Sequence, residues 1–246
     1  PTHIVVLDRT LFYPEGGGQL GDQGFFVINS DESIKVLDTK IEDGVIIHFT
    51  DGELRTGSIN GEVNRIRRIQ LMDHHTAVHI VGGAAREILG PHIRQAGSNK
   101  GEKYARIDLT HHSRMSRDLL DIIEDKANEI VQSNPGIEKI IMSRADADAK
   151  FGFDIYQGGP PKHDLIRIIK IGDFDTQACG GTHHDVAGKV GELRIVRSSQ
   201  VQDGVERLQI VAGDTAREHA RAQERILSEA SEILGVQSSD LPKAVQ

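Results

Sequence analysis

The sequence contains only one cysteine, Cys179, among its 246 residues. A single cysteine excludes a disulfide within the chain and fits a reducing cytosol. No apolar run approaches the roughly 20 residues that a membrane-spanning helix needs, so no membrane contact is expected. The chain is also short of basic residues, because its formal net charge is −8. We expect a cytoplasmic protein without an extended nucleic-acid-binding face, although a small local contact is compatible with this charge.

Short segments rich in Val, Ile and Phe are spaced along the first 64 residues. They cover 3–8, 25–29, 34–41 and 45–49. The Asp-Gly pair at 43–44 and the Asn-Gly pair at 60–61 are typical of hairpin turns, which need residues that tolerate positive φ. Strands at this spacing predict a small N-terminal β-barrel over residues 1–64. The glycine-rich stretch 13–24 then lies in the loop after the first strand.

Helical patterns begin after the predicted barrel. Asp73 is a candidate N-cap, and the Gly90-Pro91 pair is typical of a helix end. Residues 116–134 place Leu, Ile and Val on one helical stripe. Further strands are predicted at 138–142, 165–171, 191–198 and 205–212. Because strands and helices alternate irregularly, we expect an α+β fold for a second domain over residues 65–213.

The last segment, 214–246, carries a narrow seam on a charged helix. The members of the seam step by four and three residues: Ala216, Ala220, Gln223, Leu227, Ala230 and Leu234. Such a seam is typical of a helix that docks against a partner or continues into another module. We therefore expect a coiled-coil-like C-terminal helix that can self-associate. The sequence starts at Pro1 without a methionine, which favours a piece of a longer protein.

Two short motifs carry residue types that bind metal ions. In 75-HTAVH-79, two histidines four residues apart project from one face of the predicted helix. In 179-CGGTH-183, a thiol and an imidazole flank two glycines that let the chain fold tightly. Together His75, His79, Cys179 and His183 form a nitrogen and sulfur set that suits tetrahedral Zn²⁺. The same set also fits a purely structural zinc site, and the first motif alone fits a solvated helix face.

Residues within and beside these motifs argue against one enzyme class and against two further ligands. A metalloprotease is disfavoured, because Thr76 stands where the H-E-x-x-H motif needs its glutamate base. His74 and His184 adjoin candidate ligands, but as sequence neighbours they are expected to point elsewhere. Neither is counted among the ligands.

Four motifs occur in order along residues 1–215: 12-FYPEGGGQLGDQG-24, 75-HTAVH-79, 95-QAGS-98 and 176-TQACGGTH-183. In this order they resemble the editing region of alanyl-tRNA synthetases, and the free-standing alanyl-tRNA editing proteins share most of them. The resemblance implies hydrolysis of tRNA(Ala) mischarged with serine or glycine. It also implies that zinc is bound by His75, His79, Cys179 and His183. The implied partners are the acceptor end of tRNA(Ala) and the other, ATP-binding domains of a parent synthetase.

The glycine-rich loop admits three interpretations. Gly17-Gly18-Gln19 matches the GGQ tripeptide of peptide-release factors, but nothing else in the chain resembles one. A turn-rich barrel loop is the plain structural interpretation. The family resemblance favours a third, in which Gly16, Gly17 and Gly18 let backbone N–H groups approach acceptor-end phosphates or shape the editing cleft. Gln19 is then expected to orient and bind the substrate and not to react.

An editing site must hydrolyse the serine ester and spare the alanine ester, although serine differs from alanine by only one hydroxyl. An apolar pocket separates the two by only about 10²-fold, whereas a pocket that hydrogen-bonds the hydroxyl does better. Gln95 and Ser98 are candidate residues for that pocket, although without the resemblance they fit a polar loop after a helix. Arg94 heads a local basic stretch that suits a few phosphates and equally an ordinary solvated face. Its other members are Lys100, Lys103 and Arg106.

The leading hypothesis is an enzyme, a zinc-dependent aminoacyl-tRNA ester hydrolase that forms the editing part of a synthetase. A free-standing editing deacylase is one alternative. Another is an RNA-binding module in which zinc only stabilises the fold. A third is a structural piece whose final helix assembles a larger protein.

Overall fold

The computed structural model describes residues 2–159 and 163–245. In this part of the chain, twelve strands form three antiparallel sheets, accompanied by five α-helices and short 3-10 turns. None of these helices combines the length and the apolar character that a bilayer crossing requires. The expected α+β class is confirmed.

The N-terminal sheet occupies the region where strands were predicted. Its strands are β1 (His3–Val6), β2 (Gly24–Val27), β3 (Ser33–Glu42), β4 (Val45–Thr50) and β5 (Asn60–Val63). Their order across the sheet is β1-β4-β3-β2-β5. The four apolar segments of the sequence therefore correspond to β1–β4. The prediction of a hairpin turn at Asn60-Gly61 is wrong, because both residues lie in β5 and pair with β2.

The expected closed barrel is wrong. β1 and β5 are the two edges of the sheet, and among the described residues no ladder joins them. The buried face of the sheet is centred on Phe26 and Val36, and the long connections between strands cover it with Phe12 and Leu54. Because these connections already remove the apolar face from water, the sheet stays open without exposing its core.

The largest core lies between a four-stranded sheet and two long helices. The helices are α1 (Arg65–Leu89) and α2 (Arg117–Ser133). The strands are β6 (Gln95–Lys100), β7 (Ala105–Thr110), β11 (Leu193–Gln202) and β12 (Val205–Ala212), in the order β11-β12-β7-β6. Ile107 and Leu208 from the sheet pack into one cluster with Val81 and Ile123 from the helices.

Helix α1 starts earlier than the sequence suggested. Asn64 caps it, with the side-chain Oδ1 accepting a hydrogen bond from the Arg67 amide at 3.1 Å. The prediction of Asp73 as N-cap is wrong, because Asp73 is buried inside the helix with its carboxylate 2.6 Å from His184 Nε2. The expected end at Gly90 is confirmed, and the residue adopts a φ of 104° that favours glycine.

A three-stranded sheet completes the fold. It contains β8 (Ile137–Ser143), β9 (Leu165–Ile171) and β10 (Asp175–Ala178) in the order β10-β9-β8. Helix α3 (Arg144–Phe151) follows β8 and buries Ala147 against Ile166 and Ile168. Strand β10 ends immediately before Cys179, so the β9–β10 hairpin carries the CGGTH segment.

The C-terminal segment contains α4 (Asp214–Leu234) and the short α5 (Leu241–Ala244). The first turn of α4 belongs to the body of the domain, because Ala216 is fully buried and Thr215 Oγ1 lies 3.0 Å from His74 Nε2. Further along, Leu227 and Ile233 are 51% and 83% exposed. Pairing of this helix with another chain stays a prediction, as does the division into domains at 64/65 and 213/214.

Candidate metal centre

Four side chains from two distant segments meet beside α1. The residues are His75, His79, Cys179 and His183, and one ligand atom of each lies within 4.8 Å of the ligand atoms of the others. The three histidines are at most 4% exposed. Cys179 Sγ lies 3.3 Å from His75 Nε2 and 3.4 Å from His183 Nε2. The quartet predicted from the sequence is thus brought together as one buried cluster.

The local fold explains this convergence. His75 and His79 are one turn apart in α1, so their side chains project from the same face of the helix. The CGGTH segment turns back on itself after β10, and the Gly181 amide donates to Cys179 Sγ at 3.4 Å. A Cβ atom on Gly181 would lie 2.0 Å from His75 Cε1, so only glycine lets the segment approach α1 this closely.

Hydrogen bonds select which imidazole nitrogen faces the centre. His75 Nδ1 lies 2.7 Å from Gln19 Oε1, and His183 Nδ1 lies 3.2 Å from Thr76 Oγ1. Both contacts leave Nε2 directed at Cys179. His79 Nδ1 is buried without a hydrogen-bond partner, and Asp175 Oδ2 lies 3.9 Å from it. A carboxylate behind a ligand histidine is a common way to fix ring orientation in metal sites.

The electrostatic environment keeps the imidazoles neutral. Burial, reinforced by neighbouring cationic groups, lowers the pKa of His79 to about 3 and holds the pKa values of His75 and His183 well below their usual range. Neutral imidazole is the form that binds a metal. Burial also raises the pKa of the Cys179 thiol. A bound cation would reverse that effect, since a coordinating thiol is deprotonated outright.

These donors fit zinc. Zn–S bonds of about 2.3 Å and Zn–N bonds of about 2.0–2.1 Å in a tetrahedron place sulfur and nitrogen about 3.5 Å apart. The two Sγ–Nε2 separations, 3.3 and 3.4 Å, are close to that value. Three imidazoles and one thiolate also match the borderline-soft character of Zn²⁺. The residues present could therefore hold the ion with little rearrangement.

The glycine-rich loop contains a tight turn that leads into Gln19, the residue that contacts His75. Gly16 and Gln19 exchange backbone hydrogen bonds of 2.9 and 3.1 Å around Gly17 and Gly18, whose φ angles are 57° and 76°. Positive φ at both central residues is the signature of a type I′ turn. A Cβ on Gly18 would lie 2.4 Å from the Ser98 carbonyl oxygen. Strand β6 therefore packs directly against the backbone of Gly18.

Gln19 itself is fully buried and contacts the cluster rather than the surface. Its Oε1 faces His75 Nδ1 and accepts from the Thr182 amide at 3.0 Å. Its Nε2 donates to Thr182 Oγ1 at 2.9 Å. Sequence analysis assigned Gln19 to substrate binding, but this position favours a residue that orients His75.

The structure places Gln95 and Ser98 on one face of β6. An irregularity in the ladder separates them, so that Gln95 lies opposite Leu109 and Ser98 opposite Ile107. Both partners are buried core residues, and directly opposite residues share a face of the sheet. Ser98 Oγ accepts a hydrogen bond of 2.7 Å from Lys100 Nζ. The two candidates therefore lie on the side of the sheet that packs against α1.

The predicted basic stretch does not form one surface. Lys100 is only 2% exposed and donates to the Gly17 carbonyl at 2.7 Å, so it is unavailable to phosphates. Arg94 is bound to Asp154 at 2.6 Å. Arg106 instead joins Arg197 and Arg207 along a polar cavity of about 500 Å³ on the outer face of the sheet. The stretch is split because successive strand residues point to opposite faces.

Several residues at the centre were missed by sequence reasoning. They are Thr76, Lys100, Asp175, Arg167 and Thr182. Arg167 donates to the carbonyl oxygens of Cys179 and Gly181, which holds the CGGTH segment in place. Asp175 directly precedes a recognised motif and Thr182 lies within it, so position in the sequence was a usable signal for both. Arg167 lies in β9 and carried no such signal. His74 and His184 point elsewhere, as expected.

The chain is similar in sequence to parts of known tRNA synthetases. The family described as "tRNA synthetases class II (A)" matches residues 1–67, and "Threonyl and Alanyl tRNA synthetase second additional domain" matches residues 166–209. The chain is 45% identical over 98% of its length to an alanine–tRNA ligase of Halobacterium salinarum. It corresponds in sequence to a segment of alanyl-tRNA synthetases. The second match includes Cys179 and His183, and thus half of the cluster.

Other alanyl-tRNA synthetases give similar figures. The identity is 45% over 97% of the chain for the alanine–tRNA ligase of Haloquadratum walsbyi and 44% over 97% for that of Methanospirillum hungatei. The chain spans only about a quarter of these relatives, 26% of each. The match therefore concerns one part of a much longer synthetase.

Proposed function

We propose that this chain hydrolyses the ester bond of tRNA(Ala) mischarged with serine or glycine, as the zinc-dependent editing part of an alanyl-tRNA synthetase. The observation that carries the proposal is the buried His75, His79, Cys179 and His183 cluster, formed within a chain similar to alanyl-tRNA synthetases. The proposed partners are the acceptor end of tRNA(Ala) and the remaining domains of the synthetase.

The proposed roles follow from the contacts at the cluster. A zinc ion held there would supply a Lewis acid for the ester carbonyl, or an anchor for the terminal ribose and amino group, provided that it accepts a ligand beyond the four side chains. Gln19 and Thr76 hold the rings of His75 and His183, so that the ligand nitrogens are fixed before substrate arrives. Lys100 contributes a buried cation whose pKa is lowered to about 8 by desolvation. Its ammonium group favours developing negative charge nearby.

The proposal predicts that this chain releases serine from Ser-tRNA(Ala) faster than alanine from Ala-tRNA(Ala). Cys179→Ala removes one of four ligands and should reduce both the zinc content and the rate of serine release at least tenfold. His219→Ala, a histidine on α4, serves as the matched control and should retain both. The measurement is a deacylation assay with metal analysis of the same samples. Full activity in a zinc-free Cys179→Ala sample would contradict the proposal.

Removal of zinc with a chelator distinguishes this proposal from the alternative, an RNA-binding module in which zinc only stabilises the fold. A catalytic site loses activity while the fold persists, whereas a structural site unfolds with its ion. The three apolar clusters are formed without the ligand histidines, and of the four ligands Cys179 alone packs against one of them. We therefore expect the circular dichroism spectrum to survive chelation while hydrolysis stops.

Gln95 is the residue proposed to recognise the serine hydroxyl. Losing one such hydrogen bond costs about 0.5–1.5 kcal/mol, which corresponds to about 2–13-fold in rate. Gln95→Ala should therefore lower the ratio of Ser-tRNA(Ala) to Ala-tRNA(Ala) hydrolysis by this factor. Asn99→Ala is the control, because Asn99 lies opposite Arg106 and on the other face of the same strand. An unchanged ratio in Gln95→Ala, with Ser98→Ala lowering it, would transfer the role to Ser98.

The contact with tRNA is proposed to be confined to its acceptor end. Arg94 and the backbone of Gly16 stay candidates for this contact, although Arg94 must leave Asp154 to reach a phosphate. The net charge of −8 provides little long-range attraction for a polyanion. The other domains of the synthetase are therefore proposed to bind most of the tRNA.

A further inference from the structure

A second group of imidazoles lies in the connections at one end of the four-stranded sheet. His92 stands between α1 and β6, and His111 and His112 follow the end of β7. One ring nitrogen of each lies within 4.8 Å of those of the other two. His92 Nε2 and His111 Nδ1 are 3.0 Å apart. None of these residues belongs to the cluster around Cys179.

The backbone around this group is held in place. Thr110 Oγ1 accepts from the Arg94 amide at 2.8 Å and donates to the His92 carbonyl at 2.5 Å. The His111 amide donates to the Gly204 carbonyl at 2.9 Å. These hydrogen bonds fix the backbone of both connections. Rotation of the side chains alone would therefore bring the rings of His92, His111 and His112 closer together.

The three rings also lie close to one another. Ser113 Oγ lies 3.4 Å from His111 Nε2 and so leaves Nδ1 facing His92. A simple hydrogen bond between His92 and His111 would require only two of the three rings. The third ring, that of His112, lies beside this pair, with its centroid 4.6 Å from that of His111 and 5.8 Å from that of His92.

We propose that His92, His111 and His112 bind a divalent transition-metal ion such as Zn²⁺, at a site distinct from the His and Cys cluster. Three imidazoles are a common donor set for zinc, copper and nickel, and they leave a position for water. His92 and His112 are exposed, so the ion has direct access from solvent. When bound, it joins the α1–β6 connection to the connection between β7 and α2, and thereby stabilises that end of the sheet.

The test is a zinc titration of the chain already loaded with one equivalent at the first cluster. The wild-type chain and His219→Ala should bind a second equivalent and gain thermal stability from it. His112→Ala should weaken this second event at least tenfold while the first equivalent and the circular dichroism spectrum stay unchanged. His112 is exposed, so its removal should leave the fold intact, and His92→Gln provides a second variant.

The competing outcomes are distinct. Absence of a second event in the wild-type chain would overturn the proposal, and so would a second event of equal affinity in His112→Ala and His92→Gln. Cu²⁺ provides an independent readout, since its electron paramagnetic resonance spectrum reports coordinated nitrogens. Loss of a nitrogen signal in His112→Ala but not in His219→Ala would support the site. Because the first equivalent is measured separately, this result does not depend on the proposed editing activity.

Discussion

Gly181→Ala is expected to lower zinc affinity and ester hydrolysis at least tenfold, whereas Gly180→Ala should leave both nearly unchanged. A Cβ at position 181 would meet His75 Cε1 at 2.0 Å and His75 Nδ1 at 2.4 Å, while one at 180 has no heavy atom within 4 Å. His75 cannot move away easily, because it is 1% exposed and held by Gln19. Overpacking of this kind typically costs about 1–3 kcal/mol.

The two glycines make a controlled comparison. Neither has a positive φ, so an alanine at either position is free of the backbone strain that left-handed glycines impose. The measurements are zinc content, deacylation rate and thermal stability. Gly181→Ala should lose at least tenfold in zinc affinity, with a separate loss of stability. A Gly181→Ala chain with full zinc content would show that the CGGTH segment can move away from α1.

Elements whose limits are set by local signals were predictable from the sequence. The side chain of Ser116 caps α2 and Asn134 ends it with a φ of 50°, so both ends were readable from residue type. β9 and β12 have the predicted bounds, 165–171 and 205–212, because both segments are rich in Leu, Ile and Val, which favour strands. The four candidate ligands were also recognisable, since each pair lies within one short motif.

Elements that depend on distant partners were not predictable in this way. β6 has the sequence QAGSNK, which has little strand propensity, and it forms because Ser98 and Lys100 pair with Ile107 and Ala105 of β7. The burial of Lys100 depends on the Gly17 carbonyl, which lies 83 residues away in sequence. The start of α1 was missed because its first buried residue is Arg67, whereas the apolar Ile66 and Ile69 are exposed.

Gln19 is a further case in which a contact between distant residues changes the interpretation. As a loop residue beside glycines it was expected to bind substrate, but its Oε1 lies 2.7 Å from His75 Nδ1, 56 residues away in sequence. Gln19→Leu keeps the size of the side chain but leaves the buried donors of His75 and Thr182 without an acceptor. Each such group costs about 1–3 kcal/mol. Changes behind metal-bound histidines typically lower affinity or activity by about 10–100-fold.

We therefore expect Gln19→Leu to lower zinc affinity by that factor and to slow hydrolysis of Ser-tRNA(Ala) and Gly-tRNA(Ala) together at limiting zinc. Gln19→Glu retains an oxygen for His75 Nδ1 and should restore most of the zinc affinity. Gln23→Leu, in the same loop, is the matched control and should behave as wild type. A residue that bound substrate would instead raise KM with zinc affinity unchanged. If Gln19→Leu gives that pattern, the loop contacts tRNA directly, and the orientation of His75 depends on the protein around it rather than on this glutamine.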